Sequence, residues 1–93
     1  MSVIPLPTGE PHLRFTVNLG GVRLRVKLDW LERWGYYHVT LLRDEEVLRA
    51  GLGLHPDVDL LFGLGLGVGA LYLRGQPATP NNLGNTNELV YEP

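Results

Sequence analysis

Residues 13–30 read Leu13-Arg14-Phe15-Thr16-Val17-Asn18-Leu19-Gly20-Gly21-Val22-Arg23-Leu24-Arg25-Val26-Lys27-Leu28-Asp29-Trp30. Up to Leu19, apolar residues alternate with Arg14, Thr16 and Asn18, the period-2 pattern of a half-buried strand. After Gly20-Gly21 the alternation resumes, with Val22, Leu24, Val26, Leu28 and Trp30 on one face and Arg23, Arg25, Lys27 and Asp29 on the other. Two adjacent glycines supply the positive φ angles that a two-residue hairpin turn requires. Such a turn pairs Leu19 with Val22, Val17 with Leu24, Phe15 with Val26 and Leu13 with Leu28, so every apolar pair lies on one face. The opposite face pairs Thr16 with Arg25 and Arg14 with Lys27, and like charges set directly opposite are mildly destabilising. Glu10, Asp29 or an acidic partner can offset them; the plainer reading is a solvated face.

The same period continues outward from the hairpin. Tyr36 to Leu42 reads as a third strand, with Tyr37, Val39 and Leu41 inward, and Leu31 to Gly35 as its connection. The polar turn Arg43-Asp44-Glu45-Glu46 leads to a fourth strand, Val47 to Leu54, with Leu48, Ala50, Leu52 and Leu54 in phase. Asp44 to Leu52 also holds good helix formers, but Gly51 and Gly53 count against a helix. Pro56 and the acidic residues beside it suit a short helical turn over Val58 to Phe62. Gly63, Gly65, Gly67 and Gly69 then alternate with Leu64, Leu66 and Val68. This run is either a strand with a bare backbone face or a loop whose glycines are entropically costly to order. A fifth strand is expected over Val68 to Arg74 and a last one over Glu88 to Glu92. Between them, Gly75 to Asn87 contains two prolines, two glycines and four asparagines and is a loop by composition. The pattern predicts an all-β fold, a small antiparallel β-barrel or a two-layer sandwich of about six short strands. Residues 1–93 make a single β domain, with 1–11 an extended N-terminal arm. The expected core includes Phe15, Val17, Leu24, Val26, Leu28, Val39, Leu41, Leu52, Leu71 and Leu89.

The chain has 93 residues, 44% apolar and 19% charged, which fits a folded globular domain and not a disordered one. Area scaling gives a folded surface of about 5,400 Å² against about 15,000 Å² unfolded, so roughly 64% is buried. One modest core results, with little room for an enclosed cleft. The net charge of −2 weighs against a general nucleic-acid or anionic-membrane surface. The absence of cysteine removes disulfides, thiolate metal sites and a cysteine nucleophile. Met1 to Pro11 carries no apolar run of signal-peptide length, and Leu60 to Leu73 is too short and too glycine-rich to span a bilayer. The chain therefore reads as one folded in a cytoplasm.

Candidate chemistry is sparse. His12, His38 and His55 are far apart in sequence, whereas a zinc site needs three or four converging ligands. Asp57 and Asp59 lack the further oxygen donors of a calcium loop and read as a solvated turn or cap. The run Gly63-Leu64-Gly65-Leu66-Gly67 is not followed by the helix that a dinucleotide fingerprint needs. Ser2 is the only serine, and no carboxylate pair is singled out by its spacing. No catalytic, cofactor-binding or metal residue is assigned, and the chain is not expected to be an enzyme. Trp30, Trp34, Tyr36 and Tyr37 surround one connection with Arg33 among them. Aromatics beside basic residues on a small barrel can stack single-stranded bases, and that is the alternative function. The plainer reading puts Trp30 and Tyr37 in the core.

Several segments taken in order resemble one family. They are Val3-Ile4-Pro5-Leu6, Phe15-Thr16-Val17, Leu19-Gly20-Gly21, the strand ending at Trp30, the arginine and aromatic pair within Arg33 to Tyr37, and Ala50-Gly51 with Leu54. Pro56 and Val58-Asp59-Leu60-Leu61 follow, then Asn82-Leu83-Gly84 and Leu89-Val90-Tyr91. Together they cover nearly the whole chain and resemble the cyanophage-type baseplate plug family of small phage tail proteins. The resemblance implies a structural component of a phage tail or baseplate. Such a protein would be assembled in the host cytoplasm, act by packing against other tail and baseplate proteins, and need no cofactor, membrane or nucleic acid. Strand edges left open would accept neighbours. Closed cyclic symmetry is usual for identical subunits, and because phage tails favour threefold or sixfold axes the resemblance implies a homo-oligomer, a trimer or a higher ring in preference to a dimer. The alternative is a monomer that waits for other baseplate proteins before it assembles.

Overall fold

The computed structural model describes residues 2–93, with an accessible surface of 5448 Å². Its strands are β1 (Ser2–Ile4), β2 (His12–Leu19), β3 (Val22–Leu31), β4 (Tyr36–Arg43), β5 (Glu46–Gly53), β6 (Ala70–Gly75) and β7 (Asn87–Glu92). They form a four-stranded sheet in the order β2-β3-β4-β5 and a three-stranded sheet in the order β1-β7-β6, all pairs antiparallel. The sheets do not close into a barrel; of the two expected architectures, the two-layer one is found.

The central hairpin has the predicted register, from Leu13↔Leu28 to Leu19↔Val22, with Gly20 and Gly21 both at positive φ (59° and 89°). Because β3 passes its parity to β4 through Val26↔Leu41 and Leu28↔Val39, one alternation supplies the inner face of three strands. Leu24, Val26, Leu28, Val39 and Leu41 are buried there, and Leu71, Leu73 and Leu89 join them from the other sheet in one cluster. Burying each such side chain stabilises the fold by about 1.5–3 kcal/mol. Of the expected core residues, Phe15, Val17 and Leu52 are half-buried and pack against this cluster, and the other seven are fully buried.

The remaining expectations are corrected in four places. A seventh strand exists, because residues 2–4 of the arm pair with β7 (Ser2↔Tyr91, Ile4↔Leu89). The run Gly63 to Gly69, which the sequence left open between strand and loop, is loop: all four glycines have positive φ (81°, 69°, 67° and 115°), which breaks the pleat at every second residue, so the strand expected from Val68 starts later. β6 accordingly begins at Ala70, and Leu64, Leu66 and Val68 pack on the core from the loop. The β4–β5 ladder shifts register on both sides of Leu41↔Arg49, and this bulging leaves Ala50 exposed although it is in phase by sequence. Residues 58–62 form turn and irregular backbone without a helical turn, and among the described residues there is no helix.

Side chains organise the two long connections. Asn87 is the buried polar residue of the core, at 2% exposure. Its Oδ1 accepts the Gly84 N–H (2.8 Å), and its Nδ2 donates to the Gln76 carbonyl and to Asn82 Oδ1 (both 3.2 Å). Asn82 in turn accepts the Thr79 N–H and donates to the Pro77 carbonyl. The arm docks on this loop: Thr8 Oγ1 donates to the Leu83 carbonyl (2.6 Å) and the Gly9 N–H to the Pro80 carbonyl (2.6 Å). A Cβ at Gly84 would collide with the Leu6 carbonyl oxygen, so the arm fits only against a glycine.

Asn87→Ala strands the Gly84 N–H and the Gln76 carbonyl, and the expected loss of stability is about 2–4 kcal/mol. The neighbouring exposed Asn81→Ala should stay within about 0.5 kcal/mol. Urea unfolding of both variants checks this; equal midpoints would remove Asn87 from its structural role.

Candidate interaction surface

The outer face of the four-stranded sheet is built by the residues that the hairpin parity turns away from the core. Cross-strand registers arrange them in rows: Arg14–Lys27–Thr40, Thr16–Arg25–Leu42–Val47, and Asn18–Arg23. Arg14, Arg23 and Arg25 are exposed and Lys27 is half-buried, so half of the chain's eight cations share one face. The ion pairs among the described residues are His12–Asp29 and Arg74–Glu88, and none of these four cations takes part. Two open depressions flank Thr16 and Arg25, one reaching Arg14 and Lys27 and the other Arg23 and Leu42. Asp44 and Glu45, the positive-φ pair at the β4–β5 turn, rim the second.

The fold treats its sheet edges unequally. At β6 the edge is covered: Asp57 N–H donates to the Leu73 carbonyl (2.8 Å) and Leu60 N–H to the Leu71 carbonyl (2.7 Å). Asp59 Oδ1 accepts both the Leu71 and the Leu61 N–H (3.0 and 2.9 Å). Asp59 is thus a backbone anchor, more specific than the solvated turn or cap read from sequence. β2 and β5 are the outer strands of the larger sheet, and no strand among the described residues pairs with their free edges. Beside β5, Arg49 donates to the Phe62 carbonyl (2.6 Å) and ties down the loop after β5.

The histidines come nearer to one another than their spacing suggests. Cross-strand register sets His12, Asp29, His38 and Gly53 in one row, and His12 Nδ1 lies 2.9 Å from Asp29 Oδ1. His55 packs against Tyr36, ring centroids 5.1 Å apart. Among the described residues no three histidine or acidic side chains converge as a metal-binding group. The hairpin register read from the sequence already sets His12 opposite Asp29; the pairings of β4, a non-local property, add His38 and Gly53 to the row.

The aromatics divide between interior and surface. Tyr37 is fully buried, its hydroxyl donates to the Glu10 carbonyl (2.6 Å), and Trp30 packs on it edge-to-face at 5.2 Å. Burial, with a smaller contribution from Glu10, pushes the Tyr37 hydroxyl above its ordinary pKa. Trp34 is 66% exposed at the β3–β4 turn with the Arg33 guanidinium 5.8 Å from its ring. Phe15, half-buried on β2, is the aromatic residue that lines the depression between Arg14, Arg25 and Lys27.

Two comparisons with known proteins bear on this surface. The family model described as cyanophage baseplate Pam3 plug gp18 matches residues 1–93. No curated protein matches the chain.

Trp34→Ala should change stability by no more than about 0.5 kcal/mol, and acrylamide should quench Trp34 far more than Trp30. Equal quenching in the single-tryptophan variants would contradict the division. The folded state holds the Tyr37 proton more tightly than the unfolded chain, so its contribution is complete below pH ~10 and falls as pH rises further. Tyr37→Phe should cost about 1 kcal/mol at neutral pH and make the alkaline loss shallower. Some slope remains from Tyr72, whose pKa is raised first by its hydrogen bond to Glu92. Urea midpoints between neutral and strongly alkaline pH measure both effects.

Proposed function

The chain belongs to the cyanophage baseplate plug family, and from that premise we propose that it works by subunit packing in the virion, without catalysis, at the baseplate end of a phage tail. The whole-length family match carries the reading. The physical features agree with it in kind. A 93-residue chain buries a limited core, and the open edges of β2 and β5 offer unpaired backbone groups to neighbours. Large apolar side chains also remain at the surface, with Phe62 77% and Trp34 66% exposed. These residues sit at loops and turns, where a neighbour can cover them without disturbing either sheet.

Of the two forms the sequence left open for the glycine run, the loop enters this reading. It is not a flat bare strand for a neighbour to stack on, because its positive-φ glycines coil it into a loop. The edges and the charged face are left as the contact surfaces. The proposed assembly is a homo-oligomer, a trimer or a higher ring, seated among other baseplate proteins and completed in the host cytoplasm before the particle leaves the cell.

Two measurements test this. Mass spectrometry of purified particles should find the protein as a stoichiometric component; its absence from particles while abundant in the infected-cell lysate would end the virion reading. Light scattering on the purified chain over a wide concentration range should give a mass at least threefold that of the 10.4 kDa chain. A mass that stays at the monomer value would remove self-assembly and leave assembly with other baseplate proteins.

A further inference from the structure

Resting on the reading that this chain packs against baseplate neighbours, we propose that the open edge of β2 and the cationic face beside it dock an extended segment, alternately acidic and apolar, of a neighbouring subunit. Three features select that occupant.

The first is the edge itself. A two-residue turn makes Leu19 and Val22 the hydrogen-bonded pair, and alternate residues back along β2 share that orientation toward β3. The Trp30 N–H bond to the Pro11 carbonyl (2.7 Å) extends the same phase beyond the strand. The N–H and C=O groups of Arg14, Thr16 and Asn18 therefore point to the free edge. Whereas residues 57–60 cover β6, β2 is left open along eight residues. A polypeptide strand offers both donors and acceptors to such an edge, as in β-augmentation; a phosphodiester backbone offers acceptors alone.

The second is charge. An added strand lies about 4.8 Å from β2, one spacing from Arg14 and two from Arg25 and Lys27. Carboxylates on its outer side meet these cations, which form no ion pair among the described residues even though Asp44 and Glu45 rim the depression at Arg25. The third is the inner side of the same edge, where Phe15 and Val17 are only half-buried although they pack on the core. Apolar side chains at alternate positions of the added strand would complete their burial.

A second copy of the chain fits this edge poorly. Pairing β2 with β2 would merge two faces of four cations each, and like charges across a strand pair repel.

The experiment uses the full-length protein and a blocked synthetic peptide, matched to β2 in length, that alternates glutamate with valine. A lysine–valine counterpart and a thymidine oligonucleotide serve as controls. The glutamate peptide is expected to bind with a dissociation constant below about 1 mM and to weaken markedly between about 50 and 200 mM salt. It should slow amide exchange at Arg14, Thr16 and Asn18. The double variant Arg25→Glu, Lys27→Glu should lose at least about tenfold in affinity. Thr16→Pro, which removes an edge donor but no charge, should do the same. Circular dichroism checks the fold of each variant; should Thr16→Pro unfold, the exchange pattern of the unaltered protein still decides. No binding at millimolar peptide, equal binding of the lysine peptide, tighter binding of the oligonucleotide, or exchange protection elsewhere would overturn the proposal. So would self-association, detected by light scattering, that the double variant abolishes, since the face would then belong to a second copy. Failure here leaves the particle composition unchanged, so it is distinguishable from failure of the virion reading.

Discussion

The hydrogen-bonded pair Leu19–Val22, closed by Gly20-Gly21, sets the parity on which both faces of the larger sheet depend. With two turn residues and no slack, each residue of β2 has one partner on β3, and β3 transmits the choice to β4. A slip by a single residue would move Leu24, Val26 and Leu28 to solvent and bring Arg23, Arg25 and Lys27 against the leucines of the other sheet. Core and cationic surface are thus two readings of one register, and neither can be altered alone. The apolar side makes the register thermodynamically compulsory, which is what allows the outer side to hold like charges opposite one another at mild cost.

Where strands end, polar side chains take over the pairing of backbone groups. Asn87, Asn82 and Asp59 accept N–H groups that no neighbouring strand reaches, and Arg49 donates to carbonyls of the loop after β5. This is economical in a small domain. Loops that would otherwise need their own apolar core are held by a few amides and carboxylates at fixed positions. Among the described residues no buried side-chain polar atom is left without a partner, as expected where an unmet group costs more than a met one returns. Two of these anchors, Asp59 and Asn82, fall within segments that carried the family resemblance, which gives those otherwise bland motifs a physical reason.

The fold class was legible because period-2 alternation is local and the Gly-Gly turn is nearly unambiguous. The parts that were not legible depend on distant partners. β1 is three residues among prolines, and only its pairing with β7 makes it a strand. Gly63 to Gly69 has the spacing of a strand, but spacing does not report the sign of φ. Ala50 keeps the alternation and still faces out, since the two register shifts flanking Leu41↔Arg49 displace it locally while Leu48 and Leu52 on either side stay packed on the core. The candidate surface was half legible. The cations could be assigned to one side of a hairpin, whereas the open β2 edge and the lack of ion pairs to these cations among the described residues required the complete topology. In the row joining His12, Asp29 and His38, the hairpin register supplied the first pair, and His38 required the β3–β4 pairing.

The pairing of β1 with β7 brings the two ends of the chain together, with Ser2 beside Tyr91 and both strands entering from the same side. Mechanically this is a zipper and not a shear joint. Tension applied to the two ends would load one pair of backbone bonds at a time, peel β1 away, and leave β7 held by β6 on its other flank. Tension applied along the long β2–β3–β4 ladders would instead load many bonds in parallel. The domain is therefore anisotropic under force, soft at its ends and stiff across its larger sheet, and the direction from which neighbours pull decides which stiffness they meet.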